Sequence, residues 1–366
     1  MLADLIIRPQ HSLVKQVDEH YLPGLQLDAP TIASDRGSPN HFTNIDGFGV
    51  GWYSSTPSTY AILSTPETLV GHPDTLPTVY KCISPPRHDL NLKSLAHAIE
   101  SRVVFGHIRA TGWGAVQLSN CHPFQWGRFL FQHNGGIGRF DDIQIELMSL
   151  VGKHARSFVK GTTGTEWLAA LFFHRLDPSP TANWLQDFSL SDQLNALTYS
   201  ISRLVDLIES KGGFFSRSGK VVSCLSLNLA ITDGSRLATL RYAYPPQREA
   251  PSLYWSTTAG SALDRRYEGH PDDGGVDVGN RKREKHKSHV VVASEPMSKG
   301  DNREWSMMEQ GTMILVDPEE NGGEPMFEEF ELTSRGTRSE NERLSSRPSN
   351  SSRQAPNPIV FRATER

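Results

Sequence analysis

The sequence is short of cysteine, of long apolar segments and of net charge, and each shortage excludes a class of protein. Its 366 residues include three cysteines, at positions 82, 121 and 224. Such wide spacing suits neither a disulfide framework nor a Cys-x-x-Cys metal pair. We find no run of about 18 apolar residues, so we expect no transmembrane helix. The start, MLADLIIRPQ, does not resemble a secretory signal, and we therefore expect a cytoplasmic protein.

The net charge of −4 gives no electrostatic reason for binding nucleic acid or an acidic membrane surface. Hydrophobic residues make up 37% of the chain, a low share that we attribute to polar loops and tails. A polar insertion at about 260–289 contains the basic run RKREKHK, which we interpret as a solvated loop rather than a polyanion-binding patch. Residues 334–366 are rich in Ser, Arg, Asn and Pro, and we expect this tail to be disordered.

Residues 1–333 carry the spacings of a single α+β domain. Alternating apolar residues with intervening glycines at 48–52 predict a strand that another segment approaches closely. Further strands are predicted at 103–105, 129–131, 221–231, 237–244, 253–256, 290–293, 313–316 and 327–332, with a hairpin turn at Asp233-Gly234. Helices are predicted at 90–101, at 141–176 with an interruption near 160–164, and at 191–211 with Ser191 as N-cap. This order suggests two packed sheets with helices outside.

Residues suited to chemistry concentrate in the stretch 106–138, which contains GHIRATG, NCHPF and FQHNGGIG. Arg109 follows a buried strand and carries a planar fork that fits a carboxylate. Asn134 and Gly135 offer a side-chain amide and a bare backbone N–H, the parts of an oxyanion hole. Arg109 could instead pair with a core carboxylate, and Asn-Gly-Gly is often only a turn. Asp46 is either a turn residue or a site carboxylate. Together these residues favour a ligand site that still needs a nucleophile.

A metal site and a thiol-protease dyad are the two alternatives within this stretch. His107, Cys121, His122 and His133 lack the spacing of a chelating pair, because adjacent residues of an extended chain point to opposite faces. Cys121 with His107 or His133 would form a thiol-protease dyad. A lone cysteine is more often an inert buried residue, and we expect no metal.

The motifs resemble those of class II glutamine amidotransferases. The matching segments are NxDGFGVGW at 44–52, GHIRA at 106–110, NxHPF at 120–124, HNGGI at 133–137, LNLAITDG at 227–234 and VASEP at 292–296. The resemblance covers roughly residues 5–320. It is strongest to the fungal amidotransferase-like subunit of a glutathione-degrading complex and to the bacterial γ-glutamyl hydrolases of ergothioneine synthesis.

This resemblance implies a four-layer αββα sandwich of the N-terminal-nucleophile hydrolase type and a mechanism without a cofactor. A cysteine at the mature N-terminus attacks a γ-glutamyl amide, with its own α-amino group as general base. The positions matching Asn134 and Gly135 hold the oxyanion, and the arginine matching Arg109 binds the α-carboxylate. His107, His122, Asp46 and Thr165 are the further substrate-binding candidates.

Two departures from the family pattern stand out. The chain begins Met1-Leu2, where family members begin Met-Cys-Arg and continue through one further strand; we expect that this strand is missing. Gly164 stands where the family has an Asp that binds the substrate's α-ammonium group, so γ-glutamyl recognition should weaken by about 1.5–3 kcal/mol.

The sequence therefore predicts a γ-glutamyl amide hydrolase that acts on glutathione, a γ-glutamyl conjugate or glutamine, and is inactive as written because the nucleophile is absent. The alternative is a non-catalytic γ-glutamyl-binding or scaffolding subunit that docks a partner peptidase.

Overall fold

The computed structural model describes residues 2–18, 45–54, 76–110, 115–259, 263, 289–298 and 304–332. The insertion predicted at about 260–289, apart from residues 263 and 289, and the tail 334–366 lie outside the described residues. The helices are α1 (Ala3–Ile6), α2 (Leu90–Ala98), α3 (Phe140–Leu150), α4 (Lys153–Arg156), α5 (Gly164–Leu176), α6 (Leu190–Ser210) and α7 (Pro318–Asn321). The strands are β1 (Phe48–Tyr53), β2 (Pro77–Cys82), β3 (Val104–Ile108), β4 (Phe124–Trp126), β5 (Phe129–Ile137), β6 (Leu225–Thr232), β7 (Leu237–Tyr244), β8 (Tyr254–Ser256), β9 (Val291–Ala293), β10 (Ser306–Met307), β11 (Thr312–Val316) and β12 (Met326–Glu329).

An antiparallel sheet of six strands, in the order β12-β11-β7-β6-β5-β4, lies at the centre of the fold. The predicted hairpin is confirmed, since Thr232 at the end of β6 pairs with Leu237 at the start of β7. Strand β5 is longer than the predicted 129–131, because residues 130–137 pair continuously with β6 and place Asn134 opposite Asn228. The Asn-Gly-Gly segment therefore lies within a strand and not after its end.

Helices α3, α5 and α6 cover one face of this sheet. The nine residues from Thr165 to Phe173 of α5 are all buried, because the helix contacts β5 on one side and α6 on the other. This confirms a helix enclosed on all sides. The predicted N-cap of α6 is wrong by two residues: the Ser189 hydroxyl, not that of Ser191, accepts a hydrogen bond from the backbone N–H of Asp192 at 3.0 Å.

A second sheet, in the order β2-β1-β3, packs against the other face of the six-stranded sheet. The glycines of β1 make this close packing possible. A Cβ atom on Gly49 would stand 2.0 Å from the carbonyl oxygen of His122, and one on Gly51 would stand 2.7 Å from the side chain of Leu130. The predicted close approach is confirmed, and it brings β1 directly over the segment that precedes β4.

The opposite face of the second sheet is covered by the outer helices α1 and α2. Phe48, Val50 and Trp52 of β1 pack there with apolar residues of both helices, which include Leu2 and Leu92. A small sheet, β10-β8-β9, also packs against the six-stranded sheet. The layers run helix, sheet, sheet, helix, which confirms the predicted αββα sandwich. No helix among the described residues combines the length and apolar character needed to cross a bilayer.

Candidate functional site

Arg109 is held by the backbone at the point where β3 ends. Its N–H donates to the carbonyl oxygen of Gly47 at 2.7 Å, and its own carbonyl accepts from the N–H of Asp46 at 3.1 Å. These two bonds continue the β1–β3 ladder beyond Ile108. The structure therefore brings the two predicted site residues Asp46 and Arg109 together, and both are buried.

The side chain of Arg109 is 5% exposed, and its Nη1 is buried without a hydrogen-bond partner among the described residues. Leaving part of a buried guanidinium unpaired is costly, and native proteins seldom do so. A carboxylate ligand is the partner that the planar fork of donors fits best. Arg109 is therefore the candidate anchor for an anionic ligand.

Three histidines lie near Arg109 and β5: His122 and His133 are buried, His133 on β5 itself, and His107 is half-buried. The rings of His107 and His122 meet edge to face with centroids 4.3 Å apart. The backbone of His133 lies close to the ring of His107. Burial lowers the pKa of His107 to about 4 and that of His133 to about 4, and it lowers the pKa of His122 well below its ordinary value. All three rings are neutral near pH 7, so they would meet a ligand as uncharged groups.

We expect this histidine cluster to make the fold acid-sensitive. In the unfolded chain a histidine has a pKa near 6.5, whereas His107 and His133 stay neutral in the fold down to about pH 4. Between these values the unfolded state binds more protons, so stability falls as pH falls, by up to about 1.4 kcal/mol per pH unit for each such histidine. Urea unfolding at pH 7, 6 and 5 measures the slope.

Two variants assign that slope. His107→Gln should reduce the pH dependence of the unfolding free energy by the contribution of one histidine, up to about 1.4 kcal/mol per pH unit. The same substitution at His97, which is exposed, should leave the pH dependence unchanged. A stability that does not vary over this pH range, or an equal effect of both variants, would contradict the assignment.

His133 connects the helix side of the site to β6. Its Nε2 lies 2.9 Å from the carbonyl oxygen of Ser226, and its Nδ1 lies 2.8 Å from the hydroxyl of Thr165. A carbonyl can only accept, so Nε2 carries the proton and Nδ1 accepts from Thr165. The Thr165 oxygen keeps its lone pairs for a further donor. The predicted substrate contact of Thr165 is thus with an N–H or O–H group of a ligand.

Asn134 and Gly135 follow His133 on β5. The side chain of Asn134 is exposed, and its Nδ2 donates to the hydroxyl of Ser294 at 3.3 Å. Gly135 has φ of +141°, and a Cβ atom there would stand 2.1 Å from the carbonyl oxygen of Ser226. Glycine is therefore required at 135, and the side-chain amide of Asn134 stands beside the bare backbone of Gly135, as an oxyanion hole needs.

Comparisons with known proteins relate this chain to one family and one fold. Residues 25–204 match the family described as glutamine amidotransferases class-II. The chain is 29% identical over 331 residues to the probable glutamine amidotransferase DUG3 of Saccharomyces cerevisiae. The aligned residues cover 90% of this chain and 82% of that protein. Over these residues the chain is similar to the class II glutamine amidotransferases. A solved glutamine aminotransferase class-II domain protein from Silicibacter pomeroyi has the same fold, with a TM-score of 0.51 and 22% identity over 78% of this chain and 92% of that one.

Cys121 lies near this candidate site but is not prepared as a nucleophile. Its thiol is directed to the carbonyl oxygens of Gln117 and Cys82, at 3.6 and 3.8 Å. Burial raises the pKa of the thiol, against the opposing effect of Arg109 and Lys81. A buried thiol held in its neutral form is inert, which disfavours the thiol-protease alternative. Among the described residues, no group of three or more metal-binding side chains is placed to hold an ion.

The position that departs from the amidotransferase pattern, Gly164, faces apolar side chains. A Cβ atom there would stand 2.9 Å from Phe140 and 3.2 Å from Ile137. The next acidic residue, Glu166, accepts hydrogen bonds from the backbone N–H groups of Lys160 and Gly161, at 2.8 and 2.6 Å. Its carboxylate is thus occupied in holding the loop before α5. Neither position 164 nor Glu166 offers a free carboxylate to a ligand.

Sequence reasoning missed three residues around this site. Lys81 of β2 lies with its ammonium group 5.1 Å from the centre of the Phe124 ring, and burial lowers its pKa. Ser294 contacts Asn134, and Asn228 lies opposite Asn134 on the neighbouring strand β6. The motifs LNLAITDG and VASEP contain Asn228 and Ser294 and were the available signals. Lys81 stands outside every motif, so only the pairing of β1 with β2 brings it here.

Proposed function

We propose that this protein acts as a γ-glutamyl amide hydrolase on glutathione or another γ-glutamyl conjugate. The proposal rests chiefly on the buried, partly unpaired guanidinium of Arg109. His107 lies close both to Arg109 and to the backbone of His133, which precedes the Asn134-Gly135 segment. An anion anchor and an oxyanion hole in one site suit a substrate with a carboxylate at one end and an amide carbonyl at the other.

The residues take the following roles. Arg109 binds the α-carboxylate of the γ-glutamyl group with charge-assisted hydrogen bonds. The Nδ2 of Asn134 and the backbone N–H of Gly135 donate to the amide oxygen and stabilise it as it gains charge. Thr165 accepts from a donor on the substrate. The nucleophile expected from the resemblance is an N-terminal cysteine, whose thiol adds to the carbonyl carbon and whose amine receives the proton.

The cysteines of this chain are not expected to act as the nucleophile. None of the three is in a disulfide, and Cys121, whose thiol feels the charge of Arg109, is buried with a raised pKa. None of these cysteines should therefore release glutamate from glutathione. Release that disappears in Cys121→Ala would contradict this and restore the thiol-protease alternative.

Calorimetric titration tests the binding part. Glutathione and L-glutamine should bind with dissociation constants between about 1 μM and 1 mM, the range of enzyme substrates. Cysteinylglycine, which is glutathione without its γ-glutamyl group, should give no heat and is the matched control ligand. Absence of heat from all three compounds with a folded protein would reject a γ-glutamyl site.

A non-catalytic γ-glutamyl-binding or scaffolding subunit of a peptidase complex is the second candidate, and the surroundings of Gly164 favour it. Phe140 and Ile137 fill the space beside position 164, so the substrate's ammonium group meets no carboxylate there. Glutaric acid monoamide, which lacks the α-amino group of glutamine, should then bind as tightly as glutamine. Glutamine binding about tenfold or more tightly would reveal an ammonium contact and favour the catalytic candidate.

The cellular location that we propose is cytoplasmic, on the basis that Cys82, Cys121 and Cys224 form no disulfide in the described structure. Disulfides form and persist in secreted proteins and are rare in the cytosol. Fractionation with a compartment marker measures the location, and recovery in a secreted fraction would contradict it.

A further inference from the structure

The side-chain amide of Asn134 can serve an oxyanion hole only if a hydrogen-bond partner fixes its orientation. Asn134 is exposed on β5, and the terminal torsion of an asparagine is broad and roughly two-fold. The amide of Asn134 has two N–H donors, and one of them donates to the hydroxyl of Ser294 at 3.3 Å. In the structure Nδ2 faces the Ser294 hydroxyl, and this orientation leaves the second N–H for an oxyanion.

Ser294 is itself held by a chain of hydrogen bonds. Its carbonyl oxygen accepts from the hydroxyl of Ser252 at 2.8 Å. The carbonyl oxygen of Ser252 accepts from Nδ2 of Asn228 at 2.9 Å, and that of Pro251 accepts from the same nitrogen at 3.1 Å. Asn228 is buried, so both N–H groups of its amide serve to fix the segment that carries Ser252.

A second buried side chain fixes the same segment. Arg241 donates from Nε to the carbonyl oxygen of Pro251 and from Nη2 to that of Ala250, both at 2.8 Å. Asn134 lies opposite Asn228, and Asn228 lies opposite Arg241, across the adjacent strands β5, β6 and β7. Directly opposed residues share a face of a sheet. One polar row therefore contains the oxyanion-hole residue and both residues that hold its support.

We infer that Ser294 is a positioning residue for the oxyanion hole, held in place by Ser252, Asn228 and Arg241. Ser294 does not touch the reacting atoms. Its hydroxyl accepts one N–H of Asn134 and so aims the other at the substrate's carbonyl oxygen. The functional meaning of this arrangement rests on the proposed γ-glutamyl site, whereas the arrangement itself can be measured in the protein without any ligand.

The test follows the side-chain amide protons of Asn134 by NMR in protein labelled with ¹⁵N-asparagine, assigned through their loss in Asn134→Asp. In Ser294→Ala the proton that donates to the hydroxyl should move upfield and exchange faster with water. Ser294→Thr keeps a hydroxyl and should restore the wild-type signals. Ser252→Ala should move them in the same direction by less. Ser216→Ala, at a half-buried turn serine whose hydroxyl contacts that of Ser218, is the matched control and should leave the Asn134 signals unchanged.

Affinity for L-glutamine provides the second measurement. Ser294→Ala should weaken binding by about two- to tenfold, the worth of one neutral hydrogen bond, and Ser294→Thr should recover it. Unchanged Asn134 signals in a folded Ser294→Ala protein would overturn the inference even if glutamine binds. Signals that move as expected, in a protein that binds no glutamine, would uphold the arrangement and reject the proposed function instead.

Discussion

Arg109→Gln should abolish most of the affinity for γ-glutamyl ligands while leaving the fold as stable as before, or more stable. Glutamine keeps a planar polar end but loses the charge and the fork. Losing charge-assisted hydrogen bonds worth about 1.5–3 kcal/mol reduces binding roughly 10- to 150-fold. The unfolding free energy should stay constant or rise by up to about 2 kcal/mol, because a buried guanidinium with an unpaired Nη1 is removed.

Calorimetric titration with glutamine and urea unfolding of the same preparations measure both effects. Arg102→Gln is the matched control, since Arg102 is exposed just before the same strand, and it should change neither quantity. The two interpretations of Arg109 predict opposite stabilities. If it were half of a structural core ion pair, removing it would strand a buried carboxylate and cost about 3–5 kcal/mol. A loss of that size with unchanged glutamine affinity would contradict the ligand role.

Gly135→Ala should be the most destabilising alanine substitution within the Asn-Gly-Gly segment. The new Cβ would stand 2.1 Å from the carbonyl oxygen of Ser226, a backbone atom of β6, and φ at this position is +141°. Because β5 and β6 are paired along their length, the carbonyl cannot move without breaking the ladder. We expect a loss of about 3–5 kcal/mol in unfolding free energy.

Gly136→Ala is the adjacent control. A Cβ at Gly136 would meet no atom within 4 Å, so the change should stay within about 0.5 kcal/mol. Urea unfolding of the two variants gives the comparison. Similar losses at Gly135 and Gly136 would contradict the described path of β5 and, with it, the proposed role of the Gly135 N–H in an oxyanion hole.

Local sequence patterns were enough to predict most strands and helices of this fold, because the spacing of apolar residues reflects which face of each element is buried. The alternation of Phe48, Val50 and Trp52 with glycine predicted both a strand and a close neighbour, and the structure identifies that neighbour as the His122 backbone and the Leu130 side chain. The layer order followed from the same spacings, since elements that bury apolar faces must be stacked.

The supports of the site could not be predicted, because they depend on contacts distant in sequence. Asn134 meets Ser294 across 160 positions, and β5 extends past Phe131 only because β6, almost a hundred residues later, pairs with it. The glycine at position 135 suggested an oxyanion hole from the sequence alone. The contact that requires glycine there is with the carbonyl oxygen of Ser226, which lies on β6 and is distant in sequence. The sequence motifs identified the candidate site residues, whereas the contacts that orient them come from strands that pair across long sequence separations.

A crystal structure of the chain with L-glutamate, the product of γ-glutamyl hydrolysis, tests the central claim most directly. The account predicts the α-carboxylate on Nη1 of Arg109 and a γ-carboxylate oxygen within hydrogen-bonding distance of Asn134 Nδ2 and the Gly135 N–H. Glutamate bound elsewhere, or an Arg109 guanidinium that pairs with a protein carboxylate while the ligand is absent from saturated crystals, would contradict it.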